Sequence, residues 1–554
     1  MRHFLRTSAA IMAAAVVPAP APAAPAIEIR NNVFYSRAEI KSMLGDSAGR
    51  ALMPGLRRVV DAYRSAGFLY ATASAAWNAD SAAVVVTVGE GTRFRAGRPS
   101  FNGNAFIAAQ YLSSLTGQKA EAYFDQRFLR ADLQRISRAY ADAGLPHAAV
   151  RLSGLAMSGD TVQFGYEIAE GPLVTIAAVR FKGNATTGDQ AAQRLAGLSP
   201  GRTFSGTKAE RAEARLLRSG LFSEAKLIGL AATDEPGREN VLFEVREPRY
   251  NSLFGALGYN QGTEQKGWLA GAVDIELRNI SGTARQLTFR WERPQQYVSS
   301  LRASYREPWL LGSPAGASLS IRHRIQDSLF VQTGGQILFT IPLSDQITGG
   351  AGGSAERTVP GSQLVICRSL QYSSLWSLQG DYRDLMRGKT GWQYRLQLSY
   401  GRKRYYDPAA QLTISRVEID AQWSASLFSG QILDLAVHGR ALVSSERPAP
   451  RTDQYYVGGA GTLRGYFEQQ FAASQAAWLN AEYRLTAATG FELYPFMDCG
   501  YLRDLDRVPD RVKAGYGLGL RLDTRLGRIQ IDYGLGQGDK PSDGKVHLIL
   551  RSDF

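Results

Sequence analysis

Few residues in this sequence could do chemistry, and most of them stand alone. The histidines beyond the first positions are isolated, at His147, His323, His438 and His547. They form no His-Glu-x-x-His zinc motif, and the chain has neither a Gly-x-Ser-x-Gly nucleophile elbow nor a phosphate-binding loop. The two cysteines, Cys367 and Cys499, lie far apart and indicate neither a metal site nor a disulfide framework. We therefore predict no enzyme active site, no metal and no cofactor.

The sharpest motif is YYVGGAGTLRGYFEQQ, residues 455–470, with Arg464, Gly465 and Tyr466 at its centre. An arginine offers a planar, permanently charged fork that can bind carboxylates through two parallel hydrogen bonds. A following glycine lets the backbone turn sharply beside a wall of other atoms. On pattern alone this arginine could equally be one more exposed loop residue, so its role depends on the elements around it.

The chain has 554 residues, enough for several domains, and a formal net charge of +14 that is spread along its length. This charge is compatible with anionic lipid headgroups, with an acidic client or with a general arginine bias. Neither a basic run nor a motif indicates nucleic-acid binding. Beyond the N-terminus, no stretch approaches the roughly 18 to 20 apolar residues that a membrane helix needs.

The N-terminus has the layout of a secretory signal peptide. Arg2 and Arg6 precede a short apolar core, and a Pro/Ala-rich stretch follows it up to Ala26. A basic start, an apolar run too short to span a bilayer and small residues at the end are typical of a cleaved signal. We predict a signal peptide over residues 1–26, with a disordered tail as the alternative.

The N-terminal half contains a threefold repeat, in which Gly67, Gly144 and Gly220 recur about every 76 residues. Each unit reads as a strand, two helices and two strands. The pattern predicts three α+β domains, over residues 27–92, 93–172 and 173–248. Open strand edges on such domains can accept an extended peptide. Chance similarity of the units is the alternative.

The second unit illustrates how these elements are predicted. Five apolar residues at helical spacing indicate one buried helix face, namely Phe128, Leu129, Leu133, Ile136 and Tyr140. Gly144 is expected to end that helix in a left-handed conformation.

From about Tyr250 onward, helical periodicity gives way to about sixteen segments in which apolar and polar residues alternate. Tyrosine and tryptophan are frequent near the segment ends, as in the aromatic girdles of membrane barrels. An even strand number lets a barrel close with both termini on one side, and closure removes edges that the bilayer forbids. We predict an all-β transmembrane barrel over residues 249–554. A soluble β-sandwich or propeller is the alternative.

These motifs together resemble the BamA/TamA superfamily of outer-membrane assembly proteins, over nearly the whole mature chain. The Arg-Gly-Tyr motif resembles the tip of that family's long loop, which folds into the barrel. WLNAEYRL and YPFMDCGYLRD resemble the next two strands, with Glu482 and Asp498 at the acidic positions. LRNISGTARQL resembles an early barrel hairpin, and the repeats resemble POTRA domains. Three repeats without a plug helix make the TamA-like branch the closest.

The resemblance implies two sites. The first is a lumen-loop lock, in which carboxylates hold the loop tip, formed by Arg464, Gly465, Tyr466, Glu482 and Asp498. The second is a weak seam between the first strand, residues 250–261, and the last, residues 545–554. Its candidate residues are Tyr250, Gly255, Gly258 and Phe554, the last of which also resembles a C-terminal insertion signal.

The implied function is insertion of proteins into the outer membrane, or their translocation, through a lateral seam. Expected partners are unfolded or β-rich outer-membrane clients and outer-membrane lipids, but no nucleic acid. An inner-membrane or lipoprotein partner at the POTRA domains stays open. The expected location is the outer membrane of a Gram-negative bacterium, with the N-terminal domains in the periplasm. The alternatives are a two-partner secretion transporter and a passive porin or receptor.

Overall fold

The structure is a computed structural model of the chain. It describes residues 26–45, 52–78, 83–260, 268–295, 297–326, 329–361, 367–383, 390–406, 409–445, 452–488, 490–504, 508–524 and 527–553. Phe554 and the predicted signal peptide, except Ala26, lie outside the described residues. The chain divides into two compact units, Met1–Val174 with Thr203–Thr207 and Thr175–Arg202 with Lys208–Phe554.

The first unit contains two β-α-α-β-β domains. In the first of them the opening strand pairs in parallel with the last one, which occupies the centre of the sheet, in the order β1-β3-β2. The second domain repeats this arrangement with its opening strand split in two. The elements are β1 (Ala26–Arg30), α1 (Arg37–Leu44), α2 (Leu52–Ser65), β2 (Thr72–Trp77), β3 (Ala83–Gly89), β4 (Arg95–Ala96), β5 (Ser100–Asn102), α3 (Ala109–Leu115), α4 (Gln126–Asp142), β6 (Ala149–Ser158) and β7 (Thr161–Ala169).

Helix α4 buries the face that its apolar spacing predicts, with one exception. Leu129, Ile136 and Tyr140 are buried against the sheet of the second domain. Phe128, however, is 40% exposed, so its assignment to the buried face was wrong. One residue along a helix turns the side chain by about 100°, which carries Phe128 off the stripe defined by its neighbour. Gly144 has a φ of 95° just after the helix, as predicted.

Each repeat also contains a glutamate that holds the loop after its opening strand. In the first domain, Glu90 Oε1 accepts hydrogen bonds from the backbone N–H groups of Val33 and Phe34, at 2.6 and 2.9 Å. Glu170 accepts from the corresponding N–H of the second domain, and Glu247 from two in the third. A carboxylate that accepts several N–H groups satisfies donors that would otherwise be left without partners.

We expect Glu90→Gln to lower the free energy of unfolding of the first domain by about 1–2 kcal/mol, because a neutral amide replaces a charged acceptor. Burial alone would raise the pKa of Glu90, but the two N–H groups and the Tyr63 hydroxyl outweigh it and lower the pKa. The folded-state pKa therefore lies below the unfolded one. The stabilisation is complete above the unfolded pKa of about 4.5 and is lost as the pH falls through the folded value.

Hydrogen exchange at Val33 and Phe34 in the full chain measures this effect. The matched control is Glu28→Gln, since Glu28 is exposed and contacts only Arg30 through its side-chain hydrogen bonds. Equal protection in both variants at neutral pH would contradict the anchoring role.

The second unit begins with a third β-α-α-β-β domain, with sheet order β8-β10-β9. Its elements are β8 (Thr175–Lys182), α5 (Asp189–Ala196), α6 (Gly206–Arg218), β9 (Glu224–Ala232) and β10 (Arg238–Arg246). Among the described residues, no helix has the length and apolar character needed to cross a membrane.

The rest of the unit is a closed antiparallel barrel of sixteen strands in sequence order, β11–β21 followed by β24–β28. The predicted fold class is therefore confirmed. The strands are β11 (Ser252–Asn260), β12 (Trp268–Ile280), β13 (Arg285–Gln295), β14 (Val298–Glu307), β15 (Gly316–Gln326), β16 (Phe330–Pro342), β17 (Ile347–Pro360), β18 (Ser369–Asp381), β19 (Gly391–Tyr406), β20 (Ala409–Phe428), β21 (Gln431–Ser444), β24 (Gln475–Ala488), β25 (Phe491–Asp504), β26 (Val508–Thr524), β27 (Gly527–Gly536) and β28 (Lys545–Asp553). A short hairpin of β22 (Tyr455–Val457) and β23 (Phe471–Ala473) lies in the loop between β21 and β24.

The turn between β12 and β13 carries the Asn-x-x-Gly-x-x-Arg pattern and contacts the third domain. Asn279 Nδ2 donates to Thr187 Oγ1 at 2.8 Å and to the Tyr250 hydroxyl at 2.9 Å. Its Oδ1 accepts from the backbone N–H of Ala284 at 2.7 Å, which closes the turn. Asn279 is buried, so these bonds offset the cost of burying its amide.

Candidate functional site: the lumen loop and the seam

The loop between β21 and β24 folds back onto the inner wall of the barrel. Its glycines produce the reversal, because Gly458 and Gly459 have φ values of 119° and 98°, which favour glycine. Leu463, just before the loop tip, is fully buried in a cluster with Val457 and Trp478. Apolar packing of Leu463 therefore holds the loop tip in place independently of the charged residues.

Arg464 at the loop tip is bound by carboxylates on two neighbouring strands. Its Nε donates to Asp498 Oδ2 and its Nη2 to Asp498 Oδ1, both at 2.8 Å. Its Nη1 donates to Glu482 Oε1 at 2.6 Å. The backbone N–H of Arg464 also donates to Asp498 Oδ2, at 2.9 Å. The structure thus brings together the three charged residues that the resemblance placed in the lock.

The charges around Arg464 extend to a wider network. Asp532 on β27 lies 3.6 Å from Arg464 Nη1 and accepts hydrogen bonds from Tyr494 and Gln530. Arg521 Nη2 donates to the second oxygen of Glu482, at 3.0 Å. Two guanidinium groups therefore face three carboxylates.

Arg464 is 4% exposed and Asp498 and Asp532 have no exposed surface, so the charges of the lock compensate one another in place of water. The Phe496 ring lies 3.8 Å from the guanidinium carbon of Arg464, in a cation–π contact.

The loop tip lies on a strip of wall without side chains. A Cβ at Gly515 would come within 1.9 Å of the Arg464 carbonyl oxygen, and one at Gly534 within 2.7 Å of the Gly465 nitrogen. Gly465 itself has a φ of 89°, and a Cβ there would meet the backbone of β27 at 2.5 Å. The hydroxyl of Tyr466 donates to the carbonyl oxygen of Ala514 at 2.9 Å. Glycines on both surfaces allow this backbone-to-backbone approach.

We expect Gly515→Ala to displace the loop tip and to destabilise the folded barrel by about 1–3 kcal/mol, the usual cost of overpacking. Guanidinium unfolding of the purified full chain, followed by tryptophan fluorescence, measures the change. Gly335→Ala is the control, because the nearest atom to its added carbon lies 4.0 Å away. Indistinguishable midpoints for the two variants would contradict the close approach.

Sequence reasoning missed Asp532 and Arg521, although one signal for them was present. The segments KAGYGLGLRLDT and GRIQIDYGLGQ, two of the predicted barrel strands, place glycines at alternate positions. Alternate glycines on one face of two successive strands indicate that another backbone approaches there. Arg521 and Asp532 share that face, because each lies an even number of residues from the glycines.

The base of the loop has its own ion pairs, which the sequence also did not reveal. Asp453 Oδ2 lies 2.5 Å from Lys403 Nζ, and its Oδ1 lies 2.5 Å from Arg416 Nη2. Asp453 and Lys403 are buried. Their carboxylate and cations attach the base of the loop to β19 and β20, on a different part of the wall from the tip. Within the described residues, no group of His, Cys, Asp and Glu side chains could hold a metal ion.

The seam is the junction between the terminal strands of the barrel, β11 and β28. It has fewer residue pairs than any other described junction in the barrel wall. Only two described residue pairs join β11 to β28, Ser252 with Asp553 and Leu253 with Ser552. Nine pairs join β11 to β12, and seven join β27 to β28. Among the described residue pairs, Gly255 and Gly258 have partners on β12 alone.

Tyr250 is a correction to the predicted seam. Tyr250 precedes β11 and is therefore not part of the seam strand. Its hydroxyl accepts a hydrogen bond from Asn279. The fourth candidate, Phe554, lies outside the described residues.

Comparison with known proteins adds the family. Residues 279–548 match the Omp85 superfamily domain, and residues 174–247 match POTRA, described as a surface antigen variable number repeat. The barrel of this chain belongs to the Omp85 superfamily. Omp85 barrels lie in the cell outer membrane with their POTRA domains in the periplasm, so the predicted location is confirmed. The prediction that the chain is not an enzyme has the same support, because the superfamily relatives are named as assembly factors.

Two curated relatives are outer membrane protein assembly factors named BamA. The one from Nitratidesulfovibrio vulgaris is 23% identical over 507 residues, covering 84% of this chain and 62% of its own length. The one from Neisseria meningitidis is 20% identical over 426 residues, covering 69% of this chain and 51% of its own. The chain thus spans between half and about three-fifths of the relatives that it matches.

One solved structure shares this fold, and a second matches with a lower TM-score. CdiB from Escherichia coli has a TM-score of 0.52 at 14% identity, with 91% of this chain and 96% of that chain covered. BamA from Haemophilus ducreyi lacking POTRA domains 1–3 has a TM-score of 0.48 at 16% identity, with 83% and 100% covered. The likeness to CdiB shows a shared fold and no more. The predicted TamA-like branch stays a prediction.

Proposed function

We propose that this Omp85 protein assembles outer-membrane proteins, with POTRA domains that capture clients by strand addition and a barrel that inserts them through its seam. The observation that carries the proposal is the pairing of β11 with β28, which is limited to two residue pairs. A backbone hydrogen bond contributes on the order of 1 kcal/mol net, so breaking so few bonds needs no nucleotide hydrolysis. A client strand that pairs with the freed edge would replace them.

The proposed capture step relies on open sheet edges in the POTRA domains. Strand β2 forms the edge of the first sheet and β6 that of the second, since each pairs only with the central strand among the described residues. The side chains of β6 are mostly exposed. Such an edge presents unpaired N–H and C=O groups to an extended, unfolded client.

Depletion of the protein followed by quantitative proteomics of the outer membrane tests the function. The proposal expects several barrel proteins to fall together, with re-expression of the wild-type chain restoring them. A variant carrying the Glu28→Gln change, on an exposed side chain, serves as the matched control for re-expression. Loss of one secreted protein with all barrels unchanged would replace the proposal by the two-partner secretion transporter.

Planar-bilayer conductance tests the porin alternative. The buried loop tip at Arg464 supports a lumen that the loop obstructs, so we expect small, infrequent conductance steps from the wild-type chain. A large, stable and solute-permeable conductance would favour the passive porin or receptor.

A further inference from the structure

The outer surface of the barrel has a polar cleft near the extracellular ends of β18 and β19. Its volume is about 590 Å³, and its lining includes Tyr372, Tyr400, Tyr406, Arg402 and Arg404. All five of these side chains are exposed. The position follows from the topology, because β18 begins and β19 ends at the rim opposite the third domain.

The two arginines point away from the lumen. Lys403, which lies between them in β19, is 1% exposed and binds Asp453 of the lumen loop. Side chains alternate along a strand, so Arg402 and Arg404 must face the membrane side. The same outward row continues through Leu370 to Arg357 on β17, because these residues are direct register partners.

The outward face becomes apolar just below this row. Trp376 and Leu398 are register partners and both are exposed, as is Val417 on the next strand. The arginines therefore lie where the apolar band meets the extracellular headgroup layer. An arginine on the lipid face costs free energy that falls steeply from the bilayer centre toward this boundary.

None of the three outward arginines, Arg357, Arg402 and Arg404, has a carboxylate partner among the described residues. In the described part of the chain, Arg404 has one long contact, with its guanidinium carbon 5.7 Å from the centre of the Tyr406 ring. Arg402 and Arg404 are two residues apart on one strand, hence roughly 7 Å apart along it. Two like charges at this spacing repel unless an anion lies between them.

We propose that this cleft binds a phosphorylated lipid of the extracellular leaflet. Arg402 and Arg404 clamp its phosphate, since guanidinium groups bind phosphate oxygens bidentately. The tyrosines contact the headgroup at the interface, and the acyl chains lie on the apolar surface around Leu398. The ligand is a phosphomonoester lipid, and the site is independent of the lumen-loop lock and the seam.

Native mass spectrometry of the purified, delipidated full chain tests the assignment with defined probes. The probes are bis-phosphorylated lipid A, the same lipid after dephosphorylation, and phosphatidylcholine. We expect the phosphorylated lipid to bind best and its affinity to fall roughly tenfold or more in R402Q/R404Q. The control R285Q/R528Q removes the same charge at the opposite, periplasmic rim, where Arg285 pairs with Glu307. It should keep wild-type binding.

A second variant, R402K/R404K, keeps the charge and removes the forks, so we expect an intermediate affinity. Equal binding of the phosphorylated and dephosphorylated lipids would overturn the phosphate clamp, as would unchanged binding in R402Q/R404Q. Displacement of the lipid by inorganic phosphate at equal concentration would overturn the lipid as ligand in favour of a free anion. Retained heat-modifiability in each variant verifies that the barrel is folded.

Discussion

Arg464→Ala is expected to unfold the barrel at a markedly lower temperature than the wild type. The substitution leaves Asp498 and Asp532 without exposed surface and without their cation. Removing one partner of a buried ion pair costs roughly 3–5 kcal/mol, because the remaining charge is neither solvated nor paired. The temperature at which the compact band disappears on a denaturing gel, after graded heating, measures the loss.

Two further variants separate the network from charge alone. Arg464→Lys keeps the positive charge but cannot bind both Asp498 oxygens, so we expect an intermediate temperature. Arg302→Ala is the matched control, because Arg302 is an arginine of the barrel wall for which the structure describes no ion pair. Arg290 and Arg322 repel its charge, and Glu292 and Glu418 attract it from a longer distance. A wild-type unfolding temperature for Arg464→Ala would refute the lock.

Joining the seam by a disulfide is expected to abolish client insertion. Leu253 and Ser552 are register partners across the seam, and facing strand residues have Cα separations of about 4.5–5.5 Å, within disulfide range. The double variant Leu253→Cys/Ser552→Cys, with Cys367 and Cys499 changed to serine, should lose insertion when oxidised and regain it with a reductant. A client barrel that becomes protease-protected in vesicles containing the variant measures insertion.

The matched control joins β11 to its other neighbour. Leu253→Cys/Ile275→Cys pairs the same β11 residue with its β12 partner, where nine pairs already exist. Oxidation there should leave insertion unchanged, because that junction need not open. If the oxidised seam variant inserts clients at the wild-type rate, the lateral route is wrong, whatever the depletion experiment shows.

The architecture could be predicted because the periodic spacing of apolar residues within each segment indicates its secondary structure. Alternation of apolar and polar residues specifies each barrel strand, and helical spacing specifies α4, since burial of one face needs little more than neighbours in sequence. Phe128 marks the limit of this reasoning. Apolar character alone did not distinguish a residue on the buried stripe from one beside it.

The site was predictable only in part. Arg464, Glu482 and Asp498 came from a resemblance, because no local rule joins a loop to strands 18 and 34 residues away. The roles of Asp532 beside Arg464 and of Asp453 at the base of the loop depend on which strands face the loop once the barrel has closed. The pairing of β11 with β28 joins the two ends of the barrel domain. The number of residue pairs in this junction could therefore not be predicted from the sequence of either strand alone. The POTRA glutamates, by contrast, recur visibly in the repeats, as Glu90, Glu170 and Glu247.

The position of the two seam pairs has a mechanical consequence. They lie at Ser252 and Leu253, at the start of β11 beside the third domain, and within the described strands the remainder of that edge has no partner on β28. A curved ribbon fastened at one corner opens as a wedge, and the gap widens in proportion to the distance from the fastening. Small elastic changes spread over the other fifteen junctions would therefore produce their largest separation at the far rim, in the outer leaflet. Membrane thickness and curvature would then change how far the seam opens about its two residue pairs.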